Sequence, residues 1–593
     1  MIGTYAAAVA VCVAALALGQ AAVSLCGARR WSWMAPPVGL ALVCAICWGT
    51  VRLPGHGVVS AVVVPALVIA AMVYLWGRLE GGARALREGW PVALAALVAA
   101  SLPFAVEGHF GILGTSFNPD MSQHLLAADR LAEGHGSELL HQGYPLGPHA
   151  VVVALNQGLG IGLVHGFSGL TVAVAVLAPL TALAAFRDLP WLVRSCAALV
   201  VGLAYLVASY FAQGAFKETI EALFVLAFAL SLRESTRGWE GLTLRFVPAA
   251  LLGVGAVYVY SFPGLLWLAG TAVLWLLAEL ALGRRPVEWR SGGLALLVFA
   301  VPVVPELGRM VDFQSFETFD PNGPGLGNLF GQISPFEALG IWPSGDFRLA
   351  PGDGAVPAVG YYLGAAFGAV LLGCGLWCCW RRRETAPLAG LVACAVAYAA
   401  ARVGGTPYTA AKAIEIGAPL VALTILLPLN GVGDWRFLHL IGAKGAKARI
   451  APLAAALFVV AAGACSLLAF ANAPVGPSSY SPALAGFRAD VGEGPTLVLA
   501  PHQLLASEQG GPFISWELRG GRVCIAEAGE LEDLTRGVRY VVTEGSRHDP
   551  PFPGLRLDRV AKPYVLWEAT GSVGGESPCP LIAVRQARQG SKR

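Results

Sequence analysis

Long apolar runs, each of about 16–23 residues, recur along most of this chain, and short polar or charged stretches separate them. That is the length an α-helix needs to cross about 30 Å of hydrocarbon. The runs fall at 4–25, 37–52, 58–77, 90–106, 168–187, 192–212, 217–233, 246–260, 263–282, 292–306, 357–379, 387–402, 411–430 and 450–472. After residue 472 the pattern changes. Asn472–Pro482 is a Pro/Ser/Gly linker, and short β-type runs follow at Thr496–Leu499, Val523–Ile525, Tyr540–Thr543 and Tyr564–Trp567, parted by Gly, Pro and acidic turns.

Composition agrees with the pattern. The 593 residues are 56% hydrophobic and only 13% charged, with a mean hydropathy of +0.64. That excludes an ordinary water-soluble globule. The run 4–25 has no basic stretch before it, and Arg29 and Arg30 follow it, so it reads as a retained span rather than a cleaved signal.

The net charge of +3 says little, because the side on which each charge lies matters more than the sum. The apolar stretch 148–163 is short, interrupted by Asn156, Gln157 and glycines, and preceded by Pro145 and Pro148. Taken as an interfacial helix, it puts every basic loop on one side. That side holds Arg29–Arg30, then Arg78, Arg84 and Arg87, then Arg187, then Arg233, Arg237 and Arg245. Arg284, Arg285 and Arg290, then Arg381–Arg383, and finally Arg436, Lys444, Lys447 and Arg449 complete it. The long outside loops, 107–147 and 306–356, are acidic. Both termini then lie outside.

The expected architecture is a polytopic α-helical membrane protein with about fourteen transmembrane helices. Residues 1–472 form the membrane domain, with outside loops 107–167 and 306–356, and residues 473–593 form an extracytoplasmic α/β or β-rich soluble domain. Most cysteines sit in or beside apolar runs as small core residues, among them Cys374, Cys378 and Cys379 beside two tryptophans. Cys524 and Cys579 lie in the tail, where an oxidising compartment would permit a disulfide.

Candidate chemistry concentrates in the first outside loop. It reads Phe117-Asn118-Pro119-Asp120-Met121-Ser122-Gln123-His124, followed by Gly143-Tyr144-Pro145-Leu146-Gly147-Pro148-His149. A carboxylate just after a Pro, at the start of a short helix above the membrane, suits a general base. His124 lies one helical turn on, on the same face. The other reading of Asp120 is a cap for the helix of residues 121–132.

An outside loop with an acidic residue, a Tyr-Pro-x-Gly-x-His stretch, an interfacial helix, many spans and an extracytoplasmic tail resembles the GT-C superfamily of glycosyltransferases. The bacterial members that use polyprenyl-phosphate sugars are the nearest in kind. In sequence the resemblance covers only the stretch around Asp120 and Tyr144–His149. It implies a multi-pass protein of the bacterial plasma membrane that takes a sugar from a polyprenyl-phosphate donor to a cell-envelope glycan or lipid acceptor. Asp120 would deprotonate the acceptor hydroxyl, and the sugar would transfer with inversion. No Asp-x-Asp or Asp-x-Glu pair accompanies Asp120, as it does in metal-dependent relatives, so a divalent cation stays an open question and no metal ligand is assigned. Membrane lipids are partners and nucleic acid is not.

A second signal is charge at the outer ends of spans. Lys217-Glu218, then Glu221, opens one span, and Arg402, Tyr408, Lys412 and Glu415 flank another. Ionisable groups at such depth pair with one another or serve a site. Lys217, Arg402 and Lys412 are candidates for holding the donor phosphate. Glu218, Glu221, His124, Tyr144, His149, Tyr408 and Trp342 are candidates for contacting substrate. Mutual neutralisation of Lys217 and Glu221, snorkelling of the cations, and ordinary interfacial anchoring by Trp342 are the plainer readings. A transporter or flippase is the rival class; it predicts charges near mid-bilayer and broken helices in paired halves.

Overall fold

The computed structural model describes residues 1–114, 120–237, 244–284, 287–316, 325–354, 356–434, 450–492, 495–500, 510–520, 523–527, 537–545 and 550–571. Chain contacts divide the protein into two units. One is Met1–Gly114 with Ala128–Val475, and the other is Thr115–Ala127 with Gly476–Arg593. The stretch 115–127, read as part of the first outside loop, groups with the C-terminal unit.

The first unit is helical, and every apolar run read as a span is a helix in it. Among the described residues, ten helices are long and apolar enough to cross a membrane. Four further features account for the difference from the sequence reading. Ala35–Val51 is apolar but only 17 residues long. Phe216–Arg237 is 22 residues long but carries Lys217, Glu218, Glu221, Arg233 and Glu234. Trp191–Gly202 and Tyr205–Ala212 form a pair bent by 52°.

The fourth is the 35-residue helix Val247–Ala281, which is broken at Ser261 (φ 61°, ψ −152°). Its halves fold back on each other: the rings of Phe246 and Trp275 are 6.0 Å apart. Along a straight helix they would be separated by roughly 43 Å. Two antiparallel passes joined at Ser261-Phe262-Pro263 correspond to the runs 246–260 and 263–282. Pro263 removes a backbone donor at the corner, which is where such a helix breaks.

The stretch taken as interfacial forms the helix Gly147–Leu159, ended by Gly160 in the left-handed region. Gly147–Val153 are buried on every side by neighbouring helices, so its first two turns are part of the bundle. Two arginines of the bundle pair with acids: Arg194 with Glu88 at 2.7 Å, and Arg233, which forks onto Glu384 at 2.8 and 3.0 Å. Arg285, Arg436, Lys444, Lys447 and Arg449 lie outside the described residues.

The C-terminal unit is built on a mixed sheet of five strands: β1 Thr496–Ala500, β2 Val523–Glu527, β3 Tyr540–Glu544, β4 Leu555–Ala561 and β5 Tyr564–Ala569. The strand order is β2-β1-β3-β5-β4, with β1 parallel to β2 and β3 and the remaining pairs antiparallel. Period-two alternation sorts side chains onto two cores. Val498, Val542 and Leu566 pack with Leu484, Phe487 and Ile514 on one face. Leu497, Val541, Val565 and Trp567 pack on the other. All four strands expected from sequence are present. The fifth, β4, is an exposed edge bearing Arg556, Asp558 and Arg559, so its apolar signal is weak, and the charges discourage pairing with another chain. Cys524 is held in a disulfide, and Cys579 lies outside the described residues.

Candidate functional site

Four stretches of the helical unit converge on one polar cluster. The turn Gln213-Gly214 reverses the chain with Gly214 at φ +72° and starts the helix Phe216–Arg237. Lys217, Glu218 and Glu221 lie on the first two turns of that helix. Thr406 and Thr409 cap the helix Pro407–Leu426 reciprocally, which fixes its start. Tyr408, Lys412 and Glu415 follow at i, i+4 and i+7 on one of its faces. Tyr260 comes from the corner of the helical hairpin, and Tyr144 from the stretch 143–149.

Their contacts are specific. The Lys217 ammonium sits 3.8 Å above the centre of the Tyr144 ring and 5.7 Å from that of Tyr260. The Lys412 ammonium is 3.0 Å from Glu218 Oε1 and 4.2 Å from the Tyr408 ring centre. Tyr260 Oη donates to the same Glu218 oxygen at 3.4 Å. Two ammonium groups are thus held against aromatic faces, a geometry that attracts cations most strongly when water is excluded. Lys217 and Glu218 are buried, and Glu221 and Glu415 are completely so. Glu221 is not neutralised by Lys217 through a hydrogen bond, since neither of its carboxylate oxygens has a hydrogen-bond partner.

Tyr144 is itself positioned. Arg309 donates to its carbonyl oxygen at 2.7 Å and to that of Leu140 at 3.1 Å. Arg309 also pairs with Glu306 and lies over Trp48. Behind Tyr144, His149 is completely buried in an aromatic box, with ring centres at 6.2 Å (Tyr144), 5.3 Å (Phe167) and 5.6 Å (Phe216). The second outside loop covers the Tyr408 ring: Tyr408 N–H donates to Gly325 O at 3.3 Å, and a Cβ on Gly327 would come within 2.7 Å of the ring.

The chain leading toward Asp120 is fixed in the same unit. Gly114 (φ +74°) and Gly214 (φ +72°) nest against each other's turns. A Cβ on Gly114 would lie 2.1 Å from the Gln213 carbonyl carbon, and one on Gly214 would lie 2.3 Å from Leu113 O. Only glycine tolerates both that backbone and that approach. Phe117, Asn118 and Pro119 lie outside the described residues. Asp120 precedes the helix Met121–Ala132, and His124 Nε2 is 3.7 Å from its Oδ2, the one-turn spacing expected. The Asp120 side chain is 43% exposed, whereas that of His124 is 9% exposed.

Two expected contacts change. Trp342 is completely buried, edge-on to Tyr361 at 5.0 Å. It packs as a buried core residue of the second outside loop. Arg402 is exposed on the helix Thr385–Gly404 and makes no ion pair or hydrogen bond among the described residues, unlike the buried Lys217 and the partly buried Lys412. A snorkelling side chain fits that position. Sequence reasoning missed Tyr260, Glu306 and Arg309. The only local signal was the Tyr258-Val-Tyr260 step before Ser261-Phe-Pro at a span end. No group of three or more His, Cys, Asp or Glu side chains is arranged to hold a metal ion among the described residues.

No protein-family model matches the chain, and no curated protein sequence matches it. Among solved structures, the chain is similar to the archaeal oligosaccharyltransferase AglB from Archaeoglobus fulgidus in complex with an inhibitory peptide and a dolichol-phosphate. The TM-score is 0.43 and the identity 13%, over 77% of this chain and 70% of that one.

Proposed function

We propose that this protein is a membrane glycosyltransferase that moves a sugar from a polyprenyl-phosphate donor to a glycan or lipid acceptor on the outer face of the membrane. The observation that carries the reading is the Lys217–Lys412 cluster. Two ammonium groups, the buried Lys217 and the partly buried Lys412, stand at the ends of spans, walled by Tyr144, Tyr260 and Tyr408, with Glu218 between them. Cations in such surroundings suit an anionic headgroup, and tyrosine rings and carboxylates suit the apolar faces and hydroxyls of a sugar.

In this reading an acceptor hydroxyl oxygen attacks the anomeric carbon while Asp120 takes the hydroxyl proton. The bond from that carbon to the phosphate oxygen breaks, and its electron pair leaves with the polyprenyl phosphate, whose charge Lys217 and Lys412 stabilise. His124, one turn on from Asp120, is assigned to contacting substrate beside it. The resemblance of the first outside loop to that of GT-C enzymes supports the role of Asp120 as the base.

The test uses membranes holding the wild type, Asp120→Asn or Lys217→Met, incubated with radiolabelled polyprenyl-phosphate sugars and a cell-envelope acceptor, with and without EDTA. The wild type is expected to transfer label, Asp120→Asn to lose transfer, and Lys217→Met to bind donor more weakly. Equal transfer by wild type and Asp120→Asn removes Asp120 as the base. The bent pair Trp191–Gly202 and Tyr205–Ala212 is the feature that a transporter reading would use. Absence of transfer by the wild type, with movement of label across the membrane, would favour that reading instead.

A further inference from the structure

Two carboxyl groups inside the helical bundle have no hydrogen-bond donor among the described residues. Glu221, on the helix Phe216–Arg237, and Glu415, on the helix Pro407–Leu426, are both 0% exposed, and none of their four oxygens has a partner. The two helices pack against each other. The charges of Glu218 and Glu221 both act on Glu415, which places the three acids in one neighbourhood. A Cβ on Gly264 would come within 3.1 Å of Glu221 Oε1, so the hairpin also closes on this spot.

The surrounding groups neutralise the pair only in part: the Lys412 charge reaches Glu415 but is shared with Glu218. Lys412, three residues before Glu415, is engaged by Glu218 at 3.0 Å. Lys217 lies against Tyr144 and Tyr260. Tyr408 lies under Lys412, and Tyr260 donates to Glu218. Tyr210, from the helix Tyr205–Ala212, and Cys394, from the helix Thr385–Gly404, are further titratable neighbours. Two ionised carboxylates without donors and away from water are each unfavourable, and the Glu221 charge adds to the cost at Glu415. A bound positive charge relieves both, and a proton is the one that needs no added space.

We infer that Glu221 and Glu415 form an intramembrane proton-binding site that holds at least one proton between them at neutral pH. The inference does not depend on the transfer reaction. When the proton leaves, Glu415 competes with Glu218 for the Lys412 ammonium, so occupancy of the site biases the ion pair at the outer end of the same two helices. Each exchange moves one proton between the carboxyl pair and water and breaks no other bond.

The test is infrared spectroscopy of the full-length protein in lipid nanodiscs at neutral pH, comparing wild type with Glu221→Gln, Glu415→Gln and the double variant. Glu337→Gln serves as the control for a buried carboxyl elsewhere. The wild type is expected to show a protonated-carboxyl carbonyl band that Glu337→Gln does not remove, that is lost in the double variant, and that disappears reversibly at alkaline pH. Each single variant is expected to shift or weaken the band, so the test survives if the double variant does not fold. Absence of such a band in wild type beyond the Glu337 contribution would overturn the proposal. So would a band that sodium or potassium removes on replacing choline, since the ligand would then be a metal cation.

Discussion

The Lys217 ammonium stands 3.8 Å above the centre of the Tyr144 ring, joining a loop and a span start that are 73 positions apart in sequence. A cation on an aromatic face in a desolvated setting contributes about 2 kcal/mol. Tyr144→Phe keeps the face and is expected to retain near-normal sugar transfer. Tyr144→Leu removes it and is expected to reduce transfer by roughly thirtyfold, the equivalent of that energy. Equal behaviour of the two variants would show that Tyr144 acts through its hydroxyl or merely as filler.

Lys412 and Glu218 form an ion pair that bridges two spans at 3.0 Å. Removing one partner leaves the other buried and uncompensated, at a cost of about 3–5 kcal/mol. Lys412→Met is therefore expected to lower the thermal unfolding midpoint in detergent, and Lys412→Met with Glu218→Gln to recover most of the loss. A double variant as unstable as the single one would show that the pair carries no coupling.

Gly114 predicts a steric penalty that can be separated from its backbone penalty. Gly108 has a similar φ of +72° with nothing near its Cβ position, whereas Gly114 would meet the Gln213 carbonyl at 2.1 Å. Gly108→Ala is expected to cost about 1 kcal/mol from the left-handed backbone alone. Gly114→Ala should cost clearly more and also reduce transfer, because it moves the chain entering the Asp120 loop. Matched losses in the two unfolding curves would contradict the close approach.

Glu337 gives the second outside loop a pH dependence. Its carboxylate accepts the Ser334 N–H at 3.0 Å in a capping box, yet it is buried. Burial pushes its pKa well above the ordinary carboxylate range, the Asp346 charge adds to this, and the Ser334 N–H opposes it. The folded protein then binds more protons than the unfolded chain between the ordinary carboxylate pKa and the raised one. Its contribution is greatest below that window and is lost as pH rises through it. Glu337→Gln is expected to flatten this slope in unfolding midpoints measured across the acidic to neutral range. An unchanged slope would place the dependence elsewhere.

In the C-terminal unit, Glu517 is completely buried and accepts from the Tyr480 and Ser481 N–H groups, the Ser479 hydroxyl and the Arg488 guanidinium. It ties the start of the tail to the helix Gly510–Glu517. Glu517→Ala strands these donors and is expected to destabilise the unit by about 3 kcal/mol. Limited proteolysis of the full-length protein should then cut the tail first. Protection equal to wild type would argue that Glu517 is dispensable.

The apolar runs alone determined the helices, because a segment that must fill the hydrocarbon thickness has few other ways to satisfy its backbone. They even separated the two halves of Val247–Ala281, where Ser261-Phe262-Pro263 marks the corner. Strands β1, β3 and β5, which are central, and the edge strand β2 were legible because each carries a short apolar run. The charged edge β4 was not, since nothing buries it. The ionisable residues at span ends were visible as anomalies, but their partners were not. Which face Lys217 meets, that Lys412 takes Glu218, that Arg309 holds Tyr144, and that Trp342 is core while Arg402 is exposed all depend on helix packing. Side-chain partners across a bundle are set by the rotation and crossing of helices distant in sequence, and no local pattern encodes those.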